Sequence, residues 1–502
     1  MTWVLGNAPL SARDFAALVR NADHQVELDD AAWKLVRRSR ELVDQVAASS
    51  EPVYGLNTLL GSGRNTPVSA EKLLAYQVQV VRYHVSGIGP FLDREQSRAL
   101  MLSRLVGFAR GGSGVHPDTV EFYRQLFNRG VHPAIPRDGS VGSSDLTQLA
   151  ALASVVIGEG QAFDAEGELV PGARALAAVG LEPLVLRPLE GLALISANSY
   201  SVGLGALELL RLDRLAEFAD VALALSLEAI GRYQDSAALS AYSAPVAEAR
   251  RLPGLAASSS AVRELLAGSY LQNPNRSSGV QDALSFRSAP QTHGALRAQI
   301  EALAEALEVE LEGRSDNPLV DVPSGRLISG GNFQVLPLAL SFESLRLALG
   351  HLGIISERRI AKLYPPQRLI RQAALAATEG VPEAEELPGL LWYSAAGLLA
   401  ELKALAQPVT LGAPSLSDDI EDHSTLAPLA LQQLQRSVEV VEKLLSIEAL
   451  TAAFLILADT AERPLGAGTA VVVQQLAPLL AARLPASALV DEARSLLFGG
   501  IG

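Results

Sequence analysis

The chain has 502 residues, enough to bury a large core, and its formal net charge of −14 argues against a nucleic-acid or anionic-membrane partner. It contains no cysteine, which excludes disulfides, thiol nucleophiles and thiolate metal sites together. Few aromatic residues and recurrent Ala, Leu and Glu favour helix over sheet. The start, Met1-Thr2-Trp3-Val4-Leu5-Gly6, has no basic segment followed by an apolar one, and no unbroken apolar run of about 18 residues occurs, so a cytoplasmic, soluble protein is expected.

In chain order, residues 1–190 hold the Gly- and Pro-rich segments, among them Ser113-Gly114-Val115-His116-Pro117 and Val131-His132-Pro133-Ala134-Ile135-Pro136. They read as a first domain of short helices joined by shaped loops. Residues 191–502 read as a long-helix bundle, with Ala/Leu-rich stretches at 204–230, 296–311, 336–363 and 426–457. Apolar residues there recur at three- and four-residue steps, as in Ile300, Leu303, Leu307 and Leu311, the spacing of core-facing helices. The Ser/Ala-rich segment 256–261 is expected to begin a mobile loop. No phosphate-binding loop, paired dinucleotide glycines or His/Asp metal spacing is present, so neither a metal nor a nucleotide cofactor is expected.

The segment Gly139-Ser140-Val141-Gly142-Ser143-Ser144-Asp145-Leu146 is the most informative one. Around it, in order, stand Tyr54-Gly55-Leu56-Asn57-Thr58, His84-Val85-Ser86-Gly87-Ile88-Gly89, Glu190-Gly191-Leu192-Ala193-Leu194, Gln281-Asp282 with Arg287, Asp316-Asn317-Pro318-Leu319, Ser329-Gly330-Gly331-Asn332-Phe333, Ile355-Ser356-Glu357-Arg358-Arg359 and Glu421-Asp422-His423-Ser424. The set resembles the histidine and aromatic amino-acid ammonia-lyase superfamily over roughly residues 50–430. That resemblance implies a mainly α fold, a fumarase/aspartase-like bundle of long helices assembled as a homotetramer, with each active site built from three chains. It implies Tyr54 as catalytic base, His84 as a contact to the substrate ring, Arg287 as the grip on the substrate carboxylate and Glu421 as an acidic active-site group. Asn57, Phe333 and Lys403 join the substrate-binding set; Phe333 is a candidate cation-π wall, and Trp392 and Tyr393 are candidates beside it for which core packing is the preferred reading. His293 and His351 are expected to be structural. The bland alternatives are a buried phenol for Tyr54, an interhelical ion pair for Arg287 and a helix cap for Glu421.

Three departures from the family pattern fall together. Family members build a methylidene-imidazolone electrophile from a small residue, a Ser and a Gly; here Ser143 and Ser144 are present, the Gly is missing and Asp145 follows directly. Glycine suits the attacking position because it has no Cβ to obstruct closure. Where the family has the Asn of Leu-Asn-Gly-Thr this chain has Ser196, and where it has the Tyr before Ser-x-Arg this chain has Leu284.

The imidazolone exists to activate a poor leaving group. An ammonium loses its own proton before a β C–H does, whereas a quaternary trimethylammonium has no proton to lose and no lone pair to attack an electrophile. A ring-free site therefore suits elimination from a betaine, as in the ring-lacking ergothionase branch of the superfamily, which releases trimethylamine from the betaine of 2-thiohistidine. The expected cofactor is none, the expected partner a small amino acid or betaine, and Asp145 is a candidate to face the cation. Two other readings stay open: a conventional histidine or aromatic ammonia-lyase with an imidazolone formed from Ser143, Ser144 and Asp145, and a non-catalytic scaffold.

Overall fold

A computed structural model describes residues 2–6, 8–49, 51–377 and 386–499. The chain divides into two compact units. The first comprises Met1–Leu210, Leu303–Phe342 and Pro408–Gln432, the second Arg211–Ala302, Glu343–Gln407 and Gln433–Gly502.

The long helices run Ser199–Ile230, Ala289–Glu312, Leu336–Ala377 and Ala427–Leu457, each beginning within a few residues of its expected start or earlier. Ile300, Leu303, Leu307 and Leu311 are all buried, as their spacing requires. The helix from Leu336 continues through Pro365 and Pro366 to Ala377, beyond the expected end at 363. Segment 256–261 is not a loop. It lies inside the helix Pro253–Leu265, which has proline at its start, where the missing N–H costs nothing, and buries Leu255, Ser258, Ser259 and Val262.

Two stretches, Glu190–Ile230 and Leu336–Ala377, are long and apolar enough to cross a membrane by length and mean hydropathy. The most apolar window of the first is wholly buried in the fold and that of the second 56% buried.

The first unit also holds short strands that helix-favouring composition gave no reason to expect. Thr2–Leu5 pairs in parallel with Gln25–Leu28, Ile88–Phe91 runs antiparallel to Pro136–Asp138, and Leu319–Asp321 runs antiparallel to Arg326–Ile328. His132–Pro133, Gln161–Phe163 and Leu169–Pro171 form a three-stranded sheet. These pairings fasten loops between helices.

Within this unit the helix Glu190–Ile195 packs closely on the helix Leu73–His84. A Cβ on Gly191 would lie 2.4 Å from the carbonyl oxygen of Gln77, so only glycine permits the approach, and the Gln77 side chain accepts the Gly191 N–H at 2.9 Å. Glu190 is wholly buried and accepts from the backbone of His116 and Arg187 and from the Thr119 hydroxyl. Arg104, also buried, pairs with Asp316 at 2.8 Å and donates to the Ala193 carbonyl, tying the Asp-Asn-Pro-Leu segment to the same helix.

In the second unit a buried carboxylate, Glu448, receives both arms of Arg359 and the hydroxyls of Ser226 and Ser356. The Arg359 guanidinium also donates to the Ser285 carbonyl at 3.1 Å, and the Tyr242 hydroxyl donates to the Phe286 carbonyl at 2.8 Å. Asp282 accepts the N–H groups of Ala237 and Ala238. The short helix Leu284–Arg287 is thereby held from three sides. His293 is wholly buried on Asp220, which also receives Arg297, whereas His351 is exposed.

Candidate active site

The Tyr54 loop is seated by its neighbours. Val53 and Leu56 insert into a buried cluster with Val43, Leu189 and Val320, which leaves Tyr54 half-buried between two anchors. Each such anchor contributes about 1.5–3 kcal/mol by leaving water. Asn57 closes the loop from within: its side chain accepts the Val53 N–H at 2.7 Å and donates to the Glu51 carbonyl at 2.8 Å.

Tyr54 faces a cavity of about 970 Å³ belonging wholly to the first unit. Of the residues singled out in the sequence, Tyr54, His84, Ser143, Ser144, Phe333 and Glu421 line it, and Ser196 does too. Asn57 and Asp145 do not line it, and both have their side chains engaged elsewhere. Arg287 and Lys403 belong to the second unit. Among the described residues no ion pair or hydrogen bond engages the Arg287 guanidinium, and its Nε is buried without a partner. Lys403 is exposed. Leu284, at the place of the family's Tyr, is also exposed. Trp392 donates its indole N–H to Glu357 at 3.0 Å and lies against Tyr364, while Tyr393 is largely exposed and so is not core packing.

The Tyr54 oxygen accepts the Gly61 N–H at 3.1 Å. Burial raises the phenol above its ordinary value; the Gly61 N–H opposes that, the charge of Glu421 adds to it and the charge of Arg64 opposes it. His84 Nδ1 lies 2.7 Å from the Val80 carbonyl, which can only accept. Nδ1 therefore carries a proton, and Nε2 is the ring atom left to meet a ligand. Glu421 is held by a two-way backbone pairing with Leu416 at 3.0 and 3.1 Å, which orients the acidic loop. The Phe333 carbonyl accepts the Asn198 side chain at 2.8 Å, fixing the aromatic ring's backbone.

The Gly139–Leu146 segment is stitched on all sides. Ser143 Oγ lies 2.8 Å from Ser424 Oγ, the Gly142 carbonyl accepts the Thr425 hydroxyl, and the Val141 carbonyl accepts the Leu426 N–H. Ser144 sits at φ 63°, the left-handed region that a residue with a Cβ enters at a cost. Asp145 is wholly buried and accepts the Ser201 N–H at 2.9 Å, with the hydroxyls of Ser201 and Ser140 at 3.3 and 3.4 Å. Its carboxylate thus serves the first turn of the helix Ser199–Ile230. Burial pushes that carboxyl up to about 7 against the pull of these donors. Closing an imidazolone would require the Asp145 nitrogen to reach the Ser143 carbonyl carbon, yet its N–H donates to the Ala197 carbonyl at 2.7 Å. In this arrangement the residues do not fit the ring.

Several lining residues were not singled out in the sequence: Arg64, Tyr76, Tyr83 and Ser417. Nothing marks them, since they fall between or beside the recognisable motifs. Asn317 also lines the cavity and was legible only as part of a motif; its side chain accepts from Ser329 and Gly330. Among the described residues no group of three or more His, Asp or Glu is placed to hold a metal ion.

Comparison with known proteins places this arrangement. The sequence profile described as "Aromatic amino acid lyase" matches residues 10–478. The histidine ammonia-lyase of Anaeromyxobacter sp. (strain K) is 36% identical over 463 residues, covering 90% of this chain and 89% of the relative. The probable histidine ammonia-lyase of Halobacterium salinarum (strain R1) is 37% identical over 472 residues, covering 90% and 87%. Among solved structures, ergothionase from Treponema denticola in complex with desmethyl-ergothioneine sulfonic acid superposes with a TM-score of 0.91 at 27% identity, covering 99% of each chain. Histidine ammonia-lyase from Trypanosoma cruzi gives 0.86 at 29% identity, covering 100% of this chain and 94% of that one. With the profile spanning most of the chain and relatives above 30% identity along nine-tenths of it, the protein belongs to the aromatic amino acid lyase family and is a carbon–nitrogen lyase.

Proposed function

We propose that this protein eliminates a tertiary amine from a histidine-like betaine without a methylidene-imidazolone, releasing trimethylamine and leaving an imidazole- or thioimidazole-bearing acrylate. The observation that carries the reading is the Asp145 N–H held on the Ala197 carbonyl beside a left-handed Ser144, in a segment one residue too short to supply a glycine there. The likeness to an ergothionase structure along the whole chain supports the same substrate class.

On this reading the Tyr54 oxygen takes the β-proton, the C–H pair becomes the new double bond, and the Cα–N bond breaks with its electrons leaving on trimethylamine. No acid is needed for the departing group, because a quaternary nitrogen leaves neutral. His84 Nε2 meets a ring N–H of the substrate, Glu421 balances the cation or a second N–H, and Phe333 offers a face to the trimethylammonium. Arg287 is the carboxylate grip, supplied by a neighbouring copy in a homotetramer; the unpaired guanidinium on a firmly held helix supports this role. A cytoplasmic location goes with a small soluble substrate.

The test is an intact mass measurement followed by amine release from primary and quaternary substrates. An unmodified mass with trimethylamine release from ergothioneine or trimethylhistidine is expected. A deficit of two waters together with ammonia release from His or Phe establishes the conventional lyase instead. Absence of any release, with ligand binding retained, would leave the scaffold reading.

A further inference from the structure

Aromatic residues are only 5% of this chain, yet Tyr54, Tyr76, Tyr83 and Phe333 all line the same cavity. No motif accounts for Tyr76 and Tyr83. Both come from the helix Leu73–His84, whose Tyr76, Gln79, Val80, Tyr83 and His84 reach the cavity at three- and four-residue steps, so one face of that helix is a wall of the cavity.

The rest of the helix fixes which way that face points. Gln77 and Val81, one turn apart, are wholly buried, and Gln77 accepts the Gly191 N–H at 2.9 Å. Arg82 pairs with Glu159. On the cavity side the Tyr83 ring stands edge-on to His84, with centroids 5.6 Å apart and planes at 78°. Burial and the nearby Tyr54 push the Tyr76 phenol up to about 12, so it stays uncharged near neutral pH.

A rise of 1.5 Å per residue separates Tyr76 from Tyr83 by about 10 Å along the helix. A cation is attracted to an aromatic face within about 6 Å of the ring centroid, so a methylated ammonium lodged between the two comes within reach of both. A primary ammonium needs hydrogen-bond acceptors, which ring faces do not supply; a quaternary one does not. Glu421 brings a carboxylate to the same cavity, and Arg64 belongs to the loop at 59–64 rather than to this helix.

We propose that Tyr76 and Tyr83, with Phe333, form an aromatic cage for a quaternary ammonium group, and that these two tyrosines select a trimethylated nitrogen over a primary one. The inference deepens the elimination reading above and rests on it for the identity of the substrate.

The test uses two inert probes of one shape, glycine betaine and 3,3-dimethylbutanoate, which differ only in a charged nitrogen or a neutral carbon and cannot undergo the elimination. Dissociation constants for both are measured by calorimetry in the full-length parent and in Y76L, Y83L, Y76F and Y83F. The parent is expected to prefer the betaine by about tenfold or more; Y76L should lower that preference about tenfold and the more exposed Y83L about threefold, while both Phe variants stay within about twofold of the parent. Binding of 3,3-dimethylbutanoate should stay within about twofold throughout. A parent without the preference, or a preference that survives in both Leu variants, overturns the proposal. Should Y76L lose its fold, Y83L decides, since Tyr83 is 79% exposed and a preference unchanged there overturns the cage. Trimethylamine release from trimethylhistidine by the parent is measured separately: no release with a ring-dependent preference sinks the elimination and keeps the cage, and release with a ring-independent preference does the reverse.

Discussion

Two segments share one cavity wall and differ in what their polar groups are doing. In the Gly139–Leu146 segment Ser143, Ser144 and Asp145 are all buried, the Ser143 hydroxyl is on Ser424, the Asp145 carboxylate caps another helix, and the Asp145 amide is on Ala197. In the loop at 59–64 the residues are half-buried or exposed, Tyr54 receives one donor from it, and among the described residues no ion pair or hydrogen bond engages the Arg64 guanidinium. A group whose hydrogen-bonding capacity is already used inside the protein contributes stability and little chemistry, whereas one left open to a cavity can act on a ligand. By that measure the Gly139–Leu146 segment has the character of framework, and the groups left open to the cavity include those of the neighbouring loop.

The sharpest way to break this contrast is on the loop side. Tyr54→Phe is expected to lower kcat for amine release by about 10³-fold, the usual range for a positioned general base, with no change in melting temperature. A variant that turned over normally would place the chemistry elsewhere on the wall.

On the framework side, Asp145→Ala should destabilise the fold by about 2–3 kcal/mol, because it leaves the buried Ser201 N–H without an acceptor. Asp145→Asn should cost less, since an amide oxygen still accepts that N–H while the Ser140 and Ser201 hydroxyls turn to accept from its nitrogen. Chemical denaturation measures both, and equal losses would mean that the carboxylate charge, rather than its acceptor, is what the helix needs.

The pH profile separates the two regions in a different way. Because the phenol's pKa lies above its ordinary value and only the phenolate accepts a proton, kcat/KM should climb about tenfold per pH unit through neutrality, levelling only in alkali. A flat profile from about pH 6 to about 9 would remove Tyr54 as base.

The smallest effect is the most diagnostic of the framework. Ser144→Gly deletes the hydroxyl an imidazolone would need and relieves the left-handed backbone at φ 63°. It should stabilise the protein by about 0.5–1 kcal/mol and leave amine release intact. In a ring-dependent lyase the same change would abolish activity.

Much of this was legible in the sequence, for reasons that can be named. The long helices announce themselves by periodicity, and Tyr54, His84, Ser143, Ser144, Phe333 and Glu421, spread across 368 positions, could be gathered beforehand because each sits in a motif with a fixed neighbourhood. Arg64 had no such neighbourhood. It is a lone cation in a Gly/Ser loop, and its place depends on Ser417, some 350 residues away, which no local pattern reveals. Segment 256–261 misled because Ser and Ala read as a flexible composition, while the Ser258 hydroxyl is consumed by buried Asp220. Asn57 sits in a motif with active-site residues yet closes its own loop, a distinction that spacing alone does not draw.

The hydrogen bond from Asp145 to Ala197 has a consequence for the protein's life history. An electrophile made from the backbone can close only once the chain has folded around it, so its formation would be a separate chemical step after folding. On the ring-free reading proposed above, with that amide committed on folding, the chain has no such step to wait for. Refolding from denaturant should restore activity in step with structure, with no lag between the two.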